Sequence, residues 1–204
     1  MSQRHESVAV PERPVLDPAD SSLLDAARVC IMAVGVRRTT LTDVARRAGV
    51  SRMTVYRRFP DVAALVQSLM TREFLALIDD SRDAAESRAT TRERFAISVA
   101  DGAYRLSEHP LFQRILDVDP DLLLPYAFHR YGAFQKAVLA AFAEQLREGI
   151  ADGSIRQGDP ELLAATTELM LRGFVFAARA DGIASNRDAL RDELQTTLER
   201  GLRP

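Results

Sequence analysis

Five arginines fall within the fifteen residues from Ala45 to Phe59, ARRAGVSRMTVYRRF, around one central glycine, Gly49. A guanidinium is a permanent cation with its donors in a planar fork, a shape matched to phosphate oxygens and to the O6/N7 edge of guanine. Arg52 can therefore read a guanine through two parallel hydrogen bonds, and Met53 can meet a thymine methyl. Arg57 and Arg58 offer charge to phosphates. Thr39, Thr40, Thr42, Ser51, Thr54 and Tyr56 carry hydroxyls suited to phosphate oxygens. Taken alone, such a charge run reads as a solvated face. The elements that carry it decide whether it is a reading surface.

Thr39 or Thr40 can cap a helix that buries Leu41, Val44 and Ala45 and ends at Ala48-Gly49. Thr40 with Asp43 three residues on resembles a capping box with the shorter acid. Gly49 supplies a turn where a positive φ is easy. Ser51 caps a second short helix that buries Val55 and leads to Phe59. Two short helices across a three-residue turn have the spacing of a helix-turn-helix. Val44, Ala45, Val50 and Val55 lock the pair, which leaves Arg52, Met53, Thr54, Arg57 and Arg58 outward. The first residues of such a second helix are the ones that reach base edges in the major groove, and the helix starts at Thr40 and Ser51 add oriented N–H groups for phosphates.

LLDAARVCIMAVG, followed by TTLTDVARRAGVSRMTVYRRFPDVAALV, resembles the N-terminal domain of the tetracycline-repressor-like (TetR) regulators. The resemblance rests on Ala48-Gly49-Val50-Ser51, Thr54-Val55-Tyr56 and Arg58-Phe59, and covers about residues 21 to 70. It implies an all-α protein of about nine helices. Residues 1–20 would form a mobile N-terminal arm, residues 21–79 the DNA-binding head, and residues 80–204 a helical ligand-binding and dimerisation body. Val62 stands where the family often places a phosphate-contacting Lys, and Arg58 where it often has His. The resemblance passes that contact to Arg57 or Arg58.

The rest of the chain fits a helical body. Net charge is −2 over 204 residues, but it is unevenly spread. Residues 21–78 carry nine Arg against four acids, +5, and residues 79–204 carry sixteen Lys/Arg against twenty-one acids, −5. A basic head on an acidic body suits a polyanion partner. Apolar periodicity predicts a first helix capped by Ser21 or Ser22 and stopped at Gly35, and a fourth opening at Pro60-Asp61. A polar joint is expected around Ser81 to Thr91. A fifth helix breaks at His109-Pro110, and a short sixth covers Leu111 to Leu116. One long helix is expected from about Asp121 to Gly149, with Pro125 early enough to start or kink it, and two more over 161–180 and 186–200. A single Cys cannot form an internal disulfide, and no stretch approaches the ~20 apolar residues of a membrane span, so a cytoplasmic protein is expected. Nucleophile elbow, zincin, phosphate-loop and dinucleotide motifs are missing, and three His and one Cys are unclustered. Neither enzyme, cofactor nor metal is expected.

One helix-turn-helix makes few phosphate contacts, so a dimer that sets two of them about one DNA turn apart is expected. Thr166, Met170, Gly173, Phe174, Ala177, Leu190, Leu194 and Leu198 offer apolar faces for it, or for burial within one subunit. The resemblance implies that the last two helices form a four-helix bundle with a partner copy. It also implies a cavity for a small-molecule effector in the body. Candidates to line it are Phe95, Val99, Phe112, Gln113, Leu116, Tyr126, His129, Arg130, Phe134, Glu168 and Arg172; aromatics at such density are more often plain core, and each polar residue reads as easily as exposed or as a satisfied core partner. The implied function is a ligand-responsive repressor on a palindromic operator. The alternative is a protein-binding adaptor that kept the fold and lost DNA reading.

Overall fold

The computed structural model describes residues 18–128, 131–180 and 182–204, for 18, 19, 126, 128, 133 and 184 the backbone alone. Among them there is no strand. Ten α-helices and two 3₁₀ turns follow in order: α1 Pro18–Val34, α2 Leu41–Ala48, α3 Arg52–Arg58, α4 Val62–Ala85, α5 Thr91–Glu108, α6 Pro110–Val118, α7 Leu124–Phe128, α8 Ala133–Ala151, α9 Pro160–Ala177 and α10 Arg187–Gly201. No described helix is long and apolar enough to cross a membrane.

Several boundaries differ from the sequence reading. Helix α1 begins at Pro18, inside the expected arm, rather than at a Ser21 or Ser22 cap. A proline suits a first turn, where its missing N–H has no intrahelical partner anyway. The remaining arm residues lie outside the described ones. Ser81 to Ala85 still belong to α4, with Ser81 and Ala85 buried, so the joint starts only at Glu86. The long helix expected over 121–149 is three pieces: a 3₁₀ turn over Pro120–Leu122, then α7, then α8. Pro120 and Pro125 each lack a donor and disfavour helical backbone in the residue before them, and Gly132 caps α8 instead of continuing α7.

Two apolar cores hold the helices. The first gathers Leu24, Ala27 and Ile31 of α1, Val44 and Ala45 of α2, Val55 of α3, and Leu65 and Leu69 of α4. It runs on without a break into Phe74, Leu111, Phe112 and Ile115. The second joins Phe95, Ala96 and Val99 of α5 to Ala143 and Leu146 of α8, Ala164 of α9, and Leu198 and Leu202 at the end of α10. Helix α4 therefore belongs to both ends of the molecule. Its first half closes the three-helix head and its second half lies along α5.

Candidate nucleic-acid interface

The turn between α2 and α3 is built by the backbone. Gly49 sits at φ +69, the Gly49 N–H donates to Arg46 O, and the Val50 N–H donates to Ala45 O at 3.0 Å. This paired closure of a helix C-terminus needs a left-handed residue, hence glycine. A Cβ at Gly49 would meet nothing within 4 Å, so the requirement is conformational and not one of space. Thr40 caps α2, accepting from the Asp43 N–H at 3.1 Å. The reciprocal half of the expected capping box is replaced. The Asp43 carboxylate instead accepts from the Thr40 hydroxyl at 2.6 Å and from Arg46 at 2.7 Å. Asp is one carbon shorter than the Glu that normally reaches back. Ser51 caps α3 through the Thr54 N–H at 3.1 Å, and the Ser51 and Thr54 hydroxyls lie 2.8 Å apart.

With Val55 and Phe59 buried against α1, α2 and α4, α3 turns Arg52, Met53, Tyr56 and Arg57 outward. Met53 is 75% exposed and Tyr56 50%. Thr54 and Thr42 are half-buried at the edges of that face. Two expected contacts are placed elsewhere. Thr39 is buried and its hydroxyl donates to Gly35 O at 2.7 Å, because the turn after α1 needs that carbonyl satisfied. Arg58 folds back from the helix end and is paired with Asp20 of α1. The surface gains Arg38 beside Arg46 and Arg47 of the arginine run. Arg38, Arg46 and Arg47 line a cleft of about 510 Å³ between the end of α1 and α2, with Asp43 the acid among them.

In the body, the proposed ligand residues separate into groups. Phe112 and Phe134 meet edge-on around Phe74, at 6.3 and 5.2 Å between ring centroids, and Phe176 lies 5.5 Å from Phe112. Leu116 packs against this core, and the buried Gln113 amide donates to Ser107 O. Phe95 and Val99 belong instead to the second core, where Phe95 packs on Phe142 at 5.3 Å. Glu168 is buried and paired with Arg172, which also donates to Ala127 O at 3.2 Å and lies over the Tyr131 ring. That pairing satisfies both charges within the chain. The Tyr126 side chain, His129 and Arg130 lie outside the described residues.

On α9, Leu162, Thr166, Leu169, Gly173 and Ala177 are exposed, three or four residues apart, and so form one stripe. Leu162 is 65% exposed and Leu169 57%. Met170 and Phe174, expected on the dimer face, are half-buried and pack into the second and first cores respectively. On α10, Leu198 is buried in the second core and Leu194 packs against both, while Leu190 is half-exposed. Leu194 and Leu198 serve the chain itself because α10 lies along α5.

Residues 23–69 match the description of the bacterial regulatory proteins of the tetR family. An uncharacterised HTH-type transcriptional regulator of Mycobacterium bovis is 32% identical over 185 residues, spanning 89% of this chain and 94% of that protein. A TetR-family transcriptional regulator from Pectobacterium atrosepticum superposes with a TM-score of 0.71 at 20% identity, over 90% of this chain and 93% of that one. The transcriptional regulator FadR from Bacillus subtilis, solved in complex with stearoyl-CoA, superposes with a TM-score of 0.63 at 20% identity, over 89% and 98% of the two chains.

Proposed function

This chain belongs to the tetR family of bacterial regulatory proteins, and on that footing we propose that it acts as a homodimer on a palindromic DNA site, released when a small, largely apolar molecule occupies the body. It is a helix-turn-helix transcriptional regulator, and the dimer, operator and effector complete that activity.

The observation that carries the reading is the outward face of α3. Arg52, Met53, Tyr56 and Arg57 stand together there with no role in the core behind them. In this reading Arg52 and Met53, at the start of the helix, meet base edges, and Tyr56 and Arg57 meet the adjoining phosphates. A two-fold site calls for two heads, and the α9 stripe supports a second copy. Mid-helix Gly173 costs about 1 kcal/mol against Ala, and a Cβ there would meet nothing within 4 Å in its own chain, so close approach of another helix is its natural use. The aromatic group around Phe74 supports an apolar effector, as does the fold shared with a FadR solved with stearoyl-CoA.

Binding selection from random double-stranded DNA, at stated moderate salt, tests the reading, since phosphate contacts make affinity steeply salt-dependent. An enriched palindrome is expected. No enrichment by a folded dimer would transfer the function to a protein-binding adaptor.

A further inference from the structure

The C-terminal end of α6 grips the turn that leads into α2. Asp119, the residue that ends α6, is only 4% exposed. Its Oδ2 accepts the Val36 N–H at 2.7 Å, across 83 residues of sequence, and its Oδ1 lies 3.6 Å from Arg37 Nε. Arg37 also pairs with Asp121 at 2.8 Å. One and a half turns back along α6, Arg114 donates to Ala33 O at 3.2 Å, in the last turn of α1. The fit leaves no slack, because a Cβ on Gly35 would lie 2.8 Å from both Asp119 Oδ2 and Val118 Cγ1. On the head side, the Thr39 N–H donates to Val36 O at 3.1 Å, and Thr40 then caps α2. A buried carboxylate bonded to a backbone N–H is costly to unpair, so this joint is made or broken and does not slide.

The same short helix carries Phe112, Gln113 and Leu116, which sit in or against the aromatic core of the body. Phe112 is seven residues from Asp119, about 10 Å along a helix. We propose that Asp119 is a positioning residue that couples the body to the head: the seat of α6 sets the Gly35–Thr39 turn, and through it the angle of α2 and α3. This is a second connection besides the continuous α4, and it rests on the DNA-binding reading above. A side chain or ligand that shifts α6 by less than a turn breaks the Asp119–Val36 bond and loosens the reading unit from its N-terminal side.

Coupling of this kind is reciprocal, so DNA bound at the head must act back on α6. Hydrogen exchange of the full-length protein, with and without the palindromic duplex recovered by selection, reads this directly. In the wild type, DNA is expected to slow exchange over 41–59. It is also expected to slow the Val36 amide and the segment 115–123 at least about fivefold. In Asp119→Ala the response of 115–123 is lost while 41–59 stays protected. Asp119→Asn keeps an acceptor for Val36 and restores the response, which a merely structural loss of charge would not allow. Protection over 41–59 with no change over 115–123 in the wild type overturns the inference, and that arm alone decides should Asp119→Ala fail to fold. An equal response in the wild type and Asp119→Ala also overturns it. Failure of the wild type to bind any duplex overturns the functional reading and this inference together.

Discussion

Arg58, at the end of α3, is paired with Asp20 in the first turn of α1, so the last arginine of the reading helix is spent on holding the head together. Arg57, its neighbour, is exposed. The two substitutions therefore separate. Arg57→Ala should flatten the dependence of log affinity on log salt by about 0.9 per subunit, the signature of one lost phosphate contact. Arg58→Ala should leave that slope unchanged and lower stability by about 1 kcal/mol. Titrations of a fluorescent duplex at several salt concentrations, beside thermal melts, distinguish them.

Arg52→Ala should cost about 1–3 kcal/mol in affinity for the selected site and relax preference at one base pair per half-site. Repeating the selection with the variant checks this. An unchanged sequence logo would remove Arg52 from base reading.

Gly49→Ala meets no steric obstacle, so its whole cost is the left-handed backbone at φ +69, about 1–2 kcal/mol. Gly49→Asn should cost less, because Asn tolerates that region better. Urea unfolding of the three proteins gives the order Gly, Asn, Ala, and an Ala variant as stable as the wild type would contradict the turn described here.

Glu73 accepts from His109 at 3.5 Å and from Arg72 at 2.8 Å, with Arg28 3.3 Å away. The His109 hydrogen bond, working against burial and helped by Arg72 and Arg28, holds its carboxyl down to about 2 from the ordinary 4.5. The folded value lies below the unfolded one. Its contribution is therefore fully present above about pH 4.5 and is lost as pH falls toward 2. Glu73→Gln should cost about 1–3 kcal/mol near neutral pH, by unpairing the groups around it. The gap in melting temperature from wild type should close across that acidic window. A gap independent of pH would mean that Glu73 is not ionised in the folded protein.

Leu169→Asp places a charge at the centre of the exposed α9 stripe and should give a folded monomer. Gly173→Ala should stabilise the isolated subunit by about 1 kcal/mol while weakening self-association. Sedimentation velocity over a concentration series, with helicity as the control for folding, separates these effects.

The reading head was legible because its signals are local. A cap, a glycine, a valine and a tyrosine at fixed offsets determine two short helices and which side of the second faces out. Partners far apart in the chain were not legible. Asp119 reads as one acid in a turn-forming DVDPD, and only the fold brings it to Val36. Leu194 and Leu198 form a plausible apolar face on paper, and the packing of α10 along α5 turns them inward. Apolar periodicity persists over 121–149 and predicts one helix started or kinked at Pro125, while Pro120, Pro125 and Gly132 divide the segment into three pieces. Thr39 shows the same limit at short range, since its hydroxyl is consumed by the carbonyl of Gly35, four residues earlier.

The first core passes from Leu24 and Ile31 through Leu69 to Phe112 and Ile115 with no seam between head and body. A chimera that grafts this head onto the body of a relative must therefore carry a matching α6 face with it. Cut at residue 79, the head would leave Phe74 without the Phe112 ring of α6, 6.3 Å away between centroids, and would expose part of the shared core.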